Sequence, residues 1–565
     1  MINAKEILTL TGCEVDTFPQ TLENISHDAS IFEVKPQALV EPQDVASLCK
    51  LVQYVNDHAT ANEPMNITAR SAGTDMGGGP LGDSIIVDFT KNFNHIKEVA
   101  LGHAVVEPGV YYRDFDKATV AHGGQILPSY PASRELCTVG GMVANNSGGE
   151  KTLTYGKTEK YVRQLKMVLA DAKEHTFVPL TLSELEQHKK FPTFESEIYR
   201  KMHELIMSNN DLIQRARPQV TKNSCGYYLW NVMYDKPKQG GGTEKVFDLT
   251  KMIVGSQGTL GLITEIDFSL IKPKPYSRLL IVFLKNMDQL ADVATNVLAF
   301  KPESFESYDD HTFRIAIKFL PSLVKKMKGN IISLAFRFIP EVMAVLRGGV
   351  PKLVLMAEFT GDTPEEALNK ADQARQALVK WQRDVSYKTG KVLKIESRVT
   401  NSAKDADKYW VIRRESFNML RQHIKKLRTA PFIDDFVVRP EYLPKFLPRL
   451  YSILDRYKLT YTIAGHVGDG NFHIIPLMDL HEESAHKIIE ELSVKVYRLV
   501  HEYGGSITGE HNDGIIRTPF VKMQYGDDMY KLFEEVKNIW DPKGIFNPRK
   551  KVGGTLEYAF KHIVR

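Results

Sequence analysis

Cysteine is scarce in this chain: Cys13, Cys49, Cys137 and Cys225 are all there is in 565 residues, and no two form a C-x-x-C pair. That spacing excludes a disulfide framework, a cysteine zinc site and an iron–sulfur cluster assembled from this stretch. Long apolar runs are missing too, since no window supplies the ~18 uninterrupted apolar residues of a spanning helix. The first residues, Met1 to Phe18, lack a basic stretch followed by an apolar run, so they do not read as a secretory leader, and a reducing cytoplasm is the expected compartment. Charge is nearly balanced at +4, without the basic stripe of a nucleic-acid binder.

Ordinary globular composition remains, 43% hydrophobic and 25% charged, in a chain long enough for two to four folded units. Residues 41–60 have helical spacing of Val45, Leu48, Val52 and Val55, with Pro42 suited to a first turn. Strand-like runs follow at Met65 to Ala69, Ser84 to Asp88 and Ala104 to Glu107, so this half reads as an α/β unit. Near Ile271-Lys-Pro-Lys-Pro275 the chain changes character. Beyond it come a strand (Arg278 to Leu284), a helix (Met287 to Phe300) and another strand (Leu353 to Phe359). Thr363-Pro-Glu-Glu366 then announces a helix, with threonine as its cap. This section reads as a sheet with helices on one face.

Three glycine-rich segments stand out: Arg70 to Gly79; Pro128 to Ser133 continuing through Thr138 to Gly149; and Val254 to Glu265. Glycine lets backbone approach a ligand, and successive N–H groups form anion-binding nests. Taken singly, each segment reads equally well as a tight turn. None is a dinucleotide fingerprint opening a helix or a P-loop, which leaves an NAD-binding unit unsupported. Together, in this order, they resemble the FAD-binding domain of the vanillyl-alcohol-oxidase-type flavoenzymes. The resemblance implies two α/β subdomains with an extended FAD between them. Its contacts would be Arg70, Ser71, Ala72, Gly73, Thr74 and Asp75; then Pro131, Ser133, Thr138, Gly140, Gly141, Asn145, Ser147, Gly148 and Gly149; then Gly258, Gly261 and Ile263. The first loop has Thr74 and Asp75 where some relatives attach FAD through a histidine, so non-covalent FAD is expected.

Further along, Tyr461-Thr-Ile-Ala-Gly-His466-Val-Gly-Asp-Gly470-Asn-Phe-His473-Ile-Ile-Pro476 reads as a hairpin. A two-residue Asp469-Gly470 turn sets His466 opposite His473, with Cβ atoms about 4.5–5.5 Å apart, close enough to share a metal. Gly509-Glu510-His511-Asn-Asp513-Gly514 adds a carboxylate and a third imidazole. Neighbours on a regular strand face opposite ways, so Glu510 and His511 meet one site only where the chain bends. On its own this pair reads as a surface turn. The order of these motifs resembles the C-terminal domain of the FAD-dependent D-lactate, glycolate and D-2-hydroxyglutarate dehydrogenases, as does the ending Asp541-Pro-Lys-Gly-Ile-Phe-Asn547-Pro548. That resemblance implies His466, His473 and Glu510 as ligands of a divalent metal, zinc foremost, with His511 as base at a pKa near neutrality. It also implies Arg413 as clamp for the substrate carboxylate and Asn547 as a further FAD contact. Phe417, Ile433 and Ile475 align with polar residues that take a distal carboxylate, which ranks D-lactate first.

The expected architecture is α+β: a two-subdomain FAD-binding domain (1–273), a cap with an antiparallel sheet and helices carrying the hairpin (274–500), and a segment returning with Glu510 and His511 (501–565). Expected partners are a small 2-hydroxy acid and a quinone or separate acceptor protein, with no nucleic acid. The segment 311–352 carries eight basic residues against one acid, Glu341, which suits peripheral contact with anionic lipid or a solvated basic face. Rival readings are a metal-dependent hydrolase, a flavin-binding electron-relay subunit, and an oxygen-using oxidase or ether-lipid-type synthase on the same fold.

Overall fold

Parallel strands buried on both faces need continuous apolar runs, and the chain supplies them first at Ala38–Glu41 and Ile85–Asp88. The computed structural model describes residues 2–60, 64–238, 240–310, 312, 314, 349–390, 392–393, 395–423 and 427–564, apart from the side chains of 415–423 and 462. Most of the basic segment 311–352 therefore lies outside the described residues.

The first sheet orders Glu14–Asp16, Ala38–Glu41, Ile85–Asp88 and Ile67–Arg70, the last three parallel. Its crossover helix runs Val45–His58 rather than from residue 41, because Asp44 caps it in a reciprocal box with Ser47 and leaves Pro42 outside. Leu48, Leu51, Val52 and Val55 of that helix pack on Val40, Ile67, Ile85 and Val87. A second, five-stranded antiparallel sheet orders Ile96–Ala100, His103–Val106, Leu262–Ser269, Val162–Val168 and Glu174–Phe177. The glycine segments lie at the ends of these elements. The first follows Ile67–Arg70, the second opens the short helix Val139–Asn145, and the third leads into Leu262–Ser269.

The middle of the chain builds an antiparallel sheet in the order Glu396–Val399, Tyr276–Leu284, Leu353–Gly361, Ser304–Asp309, Thr460–His466, Asn471–Met478 and Arg428–Thr429, with Phe436–Val437 also on Asn471–Met478. Helices cover both faces, not one. Leu280, Val282 and Leu355 belong to the core that includes Val293, Val297, Ala371, Ala374 and Leu378 of the helices Leu290–Leu298 and Pro364–Thr389. The alternate residues Leu279, Ile281, Val354 and Met356 pack with Tyr409, Trp410 and Ile412 of the helix Ala403–His423. A strand apolar on both sides cannot leave one side wet. Thr363 does cap the longer helix, accepting the N–H of Glu366.

The last residues return to the first sheet: Ile67 donates its N–H to the Ile545 carbonyl, and Asn547 donates its own to Ile67. Among the described residues, no helix is long and apolar enough to cross a membrane.

Candidate active site

Val467 to Gly470 is a four-residue loop: a 3-10 turn closed by Gly470 in the left-handed region (φ 67°), whose N–H reaches the Val467 carbonyl. The pairing is accordingly His466 with Asn471 and Ala464 with His473, not His466 with His473. Residues 464, 466, 471 and 473 still share a face, so the two imidazoles are diagonal neighbours with ring centroids 5.4 Å apart.

Glu510 reaches them because residues 508–511 bend around a buried carboxylate. Asp435 accepts the N–H groups of Glu510 (2.8 Å) and His511 (2.7 Å) and the Thr508 hydroxyl (2.7 Å). Consecutive amides on one anion make a nest, and it turns both side chains toward the hairpin. Donor atoms of His466, His473 and Glu510 then lie within 4.8 Å of one another.

Each imidazole is held from behind by a carboxylate. Glu306, on the neighbouring strand, is 2.5 Å from His466 Nδ1, which leaves Nε2 3.0 Å from Glu510. Asp434 lies 2.9 Å from His473 Nδ1 and 2.8 Å from His511 Nδ1. The second contact is off the line of a well-formed hydrogen bond and acts as a charge-to-charge attraction. Lys222, fully buried, pairs with Glu510 and sits 3.4 Å from Asp469. Burial opposes charge on His466, but Glu306 and Glu510 outweigh it and lift its pKa to about 9. His511 also rises to about 9 rather than staying near neutrality: burial works against it, and Asp435 and Asp434 prevail. Burial likewise disfavours ionised Glu510, yet Lys222 and His466 hold its carboxyl well below the usual range.

Arg413 reaches the same place from the helix Ala403–His423. Its guanidinium is 3.4 Å from Glu306, and its buried Nε has no partner among the described residues. A neighbouring arginine, Arg414, forms a bidentate pair with Glu150 at 2.7 and 2.9 Å.

One cavity of about 750 Å³ joins this cluster to the glycine segments. Its walls include His466, His473, Glu510, His511 and Arg413, and the FAD candidates Arg70, Ser71, Gly73, Thr74, Asp75, Pro131, Ser133, Thr138, Gly140, Gly141, Asn145, Ser147, Gly148, Gly258, Gly261 and Ile263. Ala72, Gly149 and Asn547 are not among the lining residues. Gly149 is pressed on the Tyr130 carbonyl, where no side chain fits. The Asn547 amide donates to the carbonyls of Gly79 (3.0 Å) and Gln257 (2.6 Å), tying two glycine segments together. Asp75 and Asn145 add to that stitching, Asn145 donating to Asp75 at 2.7 Å and Gln257 to Asn145 at 3.2 Å. Of the three positions aligned with distal-carboxylate contacts, Ile475 lines the cavity, Ile433 is buried and is not among the lining residues, and the Phe417 side chain lies outside the described residues.

Glu306, Asp434, Asp435 and Lys222 escaped the sequence reading. The apolar run Pro431-Phe-Ile-Asp434-Asp435-Phe-Val-Val438 held a usable signal, because charges inside an apolar run must be paired when buried. Lys222 and Glu306 sit in stretches without one.

The donor set and the cavity fit both groups that the resemblance implies. Two imidazoles and a carboxylate, backed by carboxylates, suit a divalent ion. Gly140, packed on Pro108 with no room for a side chain, exposes backbone beside the Thr138-capped helix start.

Comparisons with known proteins bear on the flavin. A model of the FAD binding domain matches residues 36–177, and one of the C-terminal domain of FAD linked oxidases matches 274–551. The chain is 28% identical over 529 residues to a D-2-hydroxyglutarate dehydrogenase of Pseudomonas putida, covering 93% of this chain and 49% of that protein. It is 25% identical over 539 residues to a D-lactate dehydrogenase of Anaerostipes hadrus, covering 94% and 92%. The solved 4-ethylphenol oxidase from Gulosibacter chungangensis superposes with a TM-score of 0.65 at 15% identity over 98% of both chains. The fold is thus the vanillyl-alcohol-oxidase type, α+β. The chain spans about half the length of the D-2-hydroxyglutarate dehydrogenases it matches.

Proposed function

Because the chain belongs to the FAD-linked oxidases, we propose that it is a dehydrogenase of D-2-hydroxy acids, with FAD held non-covalently and a divalent metal, zinc foremost, at His466, His473 and Glu510. The carrying observation is the single cavity that runs from the glycine segments to the histidine–glutamate cluster. When bound, FAD supplies the acceptor for the C2 hydride, and the metal a Lewis acid for the substrate hydroxyl.

Every other part belongs to the chain. In its neutral form His511 takes the hydroxyl proton on Nε2, since its Nδ1 faces Asp434. Arg413 grips the carboxylate with a planar fork whose Nε has no partner among the described residues. Ala464 and Ile475 bound the tail of the substrate and offer it no donor. Beside these two apolar side chains a second carboxylate would lose water without gaining a donor from either, at several kcal/mol, which keeps D-lactate ahead of D-2-hydroxyglutarate. Electrons leave to a quinone or a separate acceptor protein. Residues 1–273 act as the FAD-binding part and 274–500 as the cap, and 501–565 return with Glu510 and His511.

The purified protein is expected to be yellow, to carry metal, and to bleach when D-lactate is added without air. A colourless protein that takes up no FAD would refute this reading. A kcat/KM for D-2-hydroxyglutarate above that for D-lactate would reverse the substrate ranking.

A further inference from the structure

We propose that Asp434 is a positioning residue shared by two imidazoles with different tasks: one oxygen aims the ligand candidate His473, the other the base candidate His511. The proposal rests on the roles given to those histidines above.

Asp434 has no exposure, and its oxygens lie 2.9 Å from His473 Nδ1 and 2.8 Å from His511 Nδ1. A carboxylate only accepts, and a lone pair facing it at this range is repelled, so the hydrogen of each ring sits on Nδ1. In each ring's neutral form the Nε2 lone pair is then the one free to act. The rings are also locked to each other, stacked at 5.1 Å with 26° between planes.

The carboxylate itself is not free to move. The Asp434 carbonyl accepts from buried Arg517 at 2.6 Å. The next residue, Asp435, has φ 73° and holds the 508–511 bend. One rigid dipeptide therefore sets the orientation of His473 through Asp434, and of His511 through both side chains.

His466 is served separately, by Glu306 at 2.5 Å. That difference provides the test. Asn keeps a single acceptor oxygen, so Asp434→Asn can hold one ring only, whereas Glu306→Gln disturbs His466 and Arg413 but neither ring on Asp434.

The experiment measures Zn²⁺ affinity of the FAD-loaded protein by competition with a chelating dye, then kcat and KM for D-lactate at saturating Zn²⁺. Both variants are expected to bind Zn²⁺ about 10–100-fold more weakly. Glu306→Gln is compared for Zn²⁺ affinity alone, because it also disturbs Arg413. In Asp434→Asn, saturating Zn²⁺ leaves kcat down by about 10²-fold from wild type, with KM within about threefold, because His511 remains unaimed. Full recovery of Asp434→Asn, or unchanged Zn²⁺ affinity, would overturn the shared role. If the Asn variant loses FAD or melts early, Asp434→Glu, which keeps the charge but displaces it, is judged by the same criteria. A wild-type protein that neither binds Zn²⁺ nor oxidises any 2-hydroxy acid would overturn the functional reading instead.

Discussion

His175 shows what pairing alone does to one residue, far from the cavity. Its Nε2 lies 3.0 Å from Asp171 and its Nδ1 3.3 Å from Glu195, with 11% of the side chain exposed. Burial opposes its charge, but the two carboxylates win and raise its pKa to about 9. A folded-state pKa above the unfolded value means that the protonated pair stabilises the fold. That contribution is complete below about pH 6.5, the unfolded value, and disappears as pH climbs through about 9. The gap in unfolding free energy between wild type and His175→Gln should be steady in mild acid and shrink across that interval. A gap that stays constant to pH 10 would show that the charge is not involved. The same kind of pairing recurs around His466, His473 and His511, and the sequence could name those histidines but not the carboxylates behind them. Glu306 lies 160 positions from His466, and only strand pairing brings the two together.

At the scale of the element, the hairpin loop is longer than its Asp-Gly pair suggests, yet the two histidines stay on one face. A two-residue turn and the observed four-residue loop differ in register by two positions, and a strand repeats its facing every two. His466 and His473 thus kept a common face, whereas a shift of one would have separated them. The loop depends on Gly470. Its φ of 67° strains any other residue, and a Cβ there would strike the Val438 carbonyl. Gly470→Ala is expected to cost about 1–3 kcal/mol and to weaken metal retention, read by thermal melting and metal analysis. An alanine variant as stable and as metal-rich as wild type would show that the loop tolerates another shape. The bend at 508–511 is legible only as a requirement: Gly509 and Gly514 permit it, but Asp435 makes it, from just before the strand Phe436–Val437, about 75 residues away in sequence.

Over the whole molecule, the architecture followed from motif order, because the glycine segments and the histidine hairpin each carry local patterns. Coverage of the large sheet on both faces did not follow, since alternating and continuous apolar runs look alike when short. Thr74 and Asp75 stand in the first glycine loop without a histidine, and Asp75 is occupied in bonds to Gly77, Gly79 and Asn145. Acid precipitation should therefore release the yellow colour into the supernatant, and flavin retained in the pellet would mean a covalent bond elsewhere. The tie between residues 67 and 545–547 reaches further than stability. A ribosome adding about 5–20 residues per second needs roughly 25–100 s between making Ile67 and making Asn547. For that time the parallel sheet has its strands but not the tail that bonds to Ile67, and the glycine segments lack the amide that joins them. Joining of the first and third glycine segments is thus timed by translation, since it waits until Asn547 has been made.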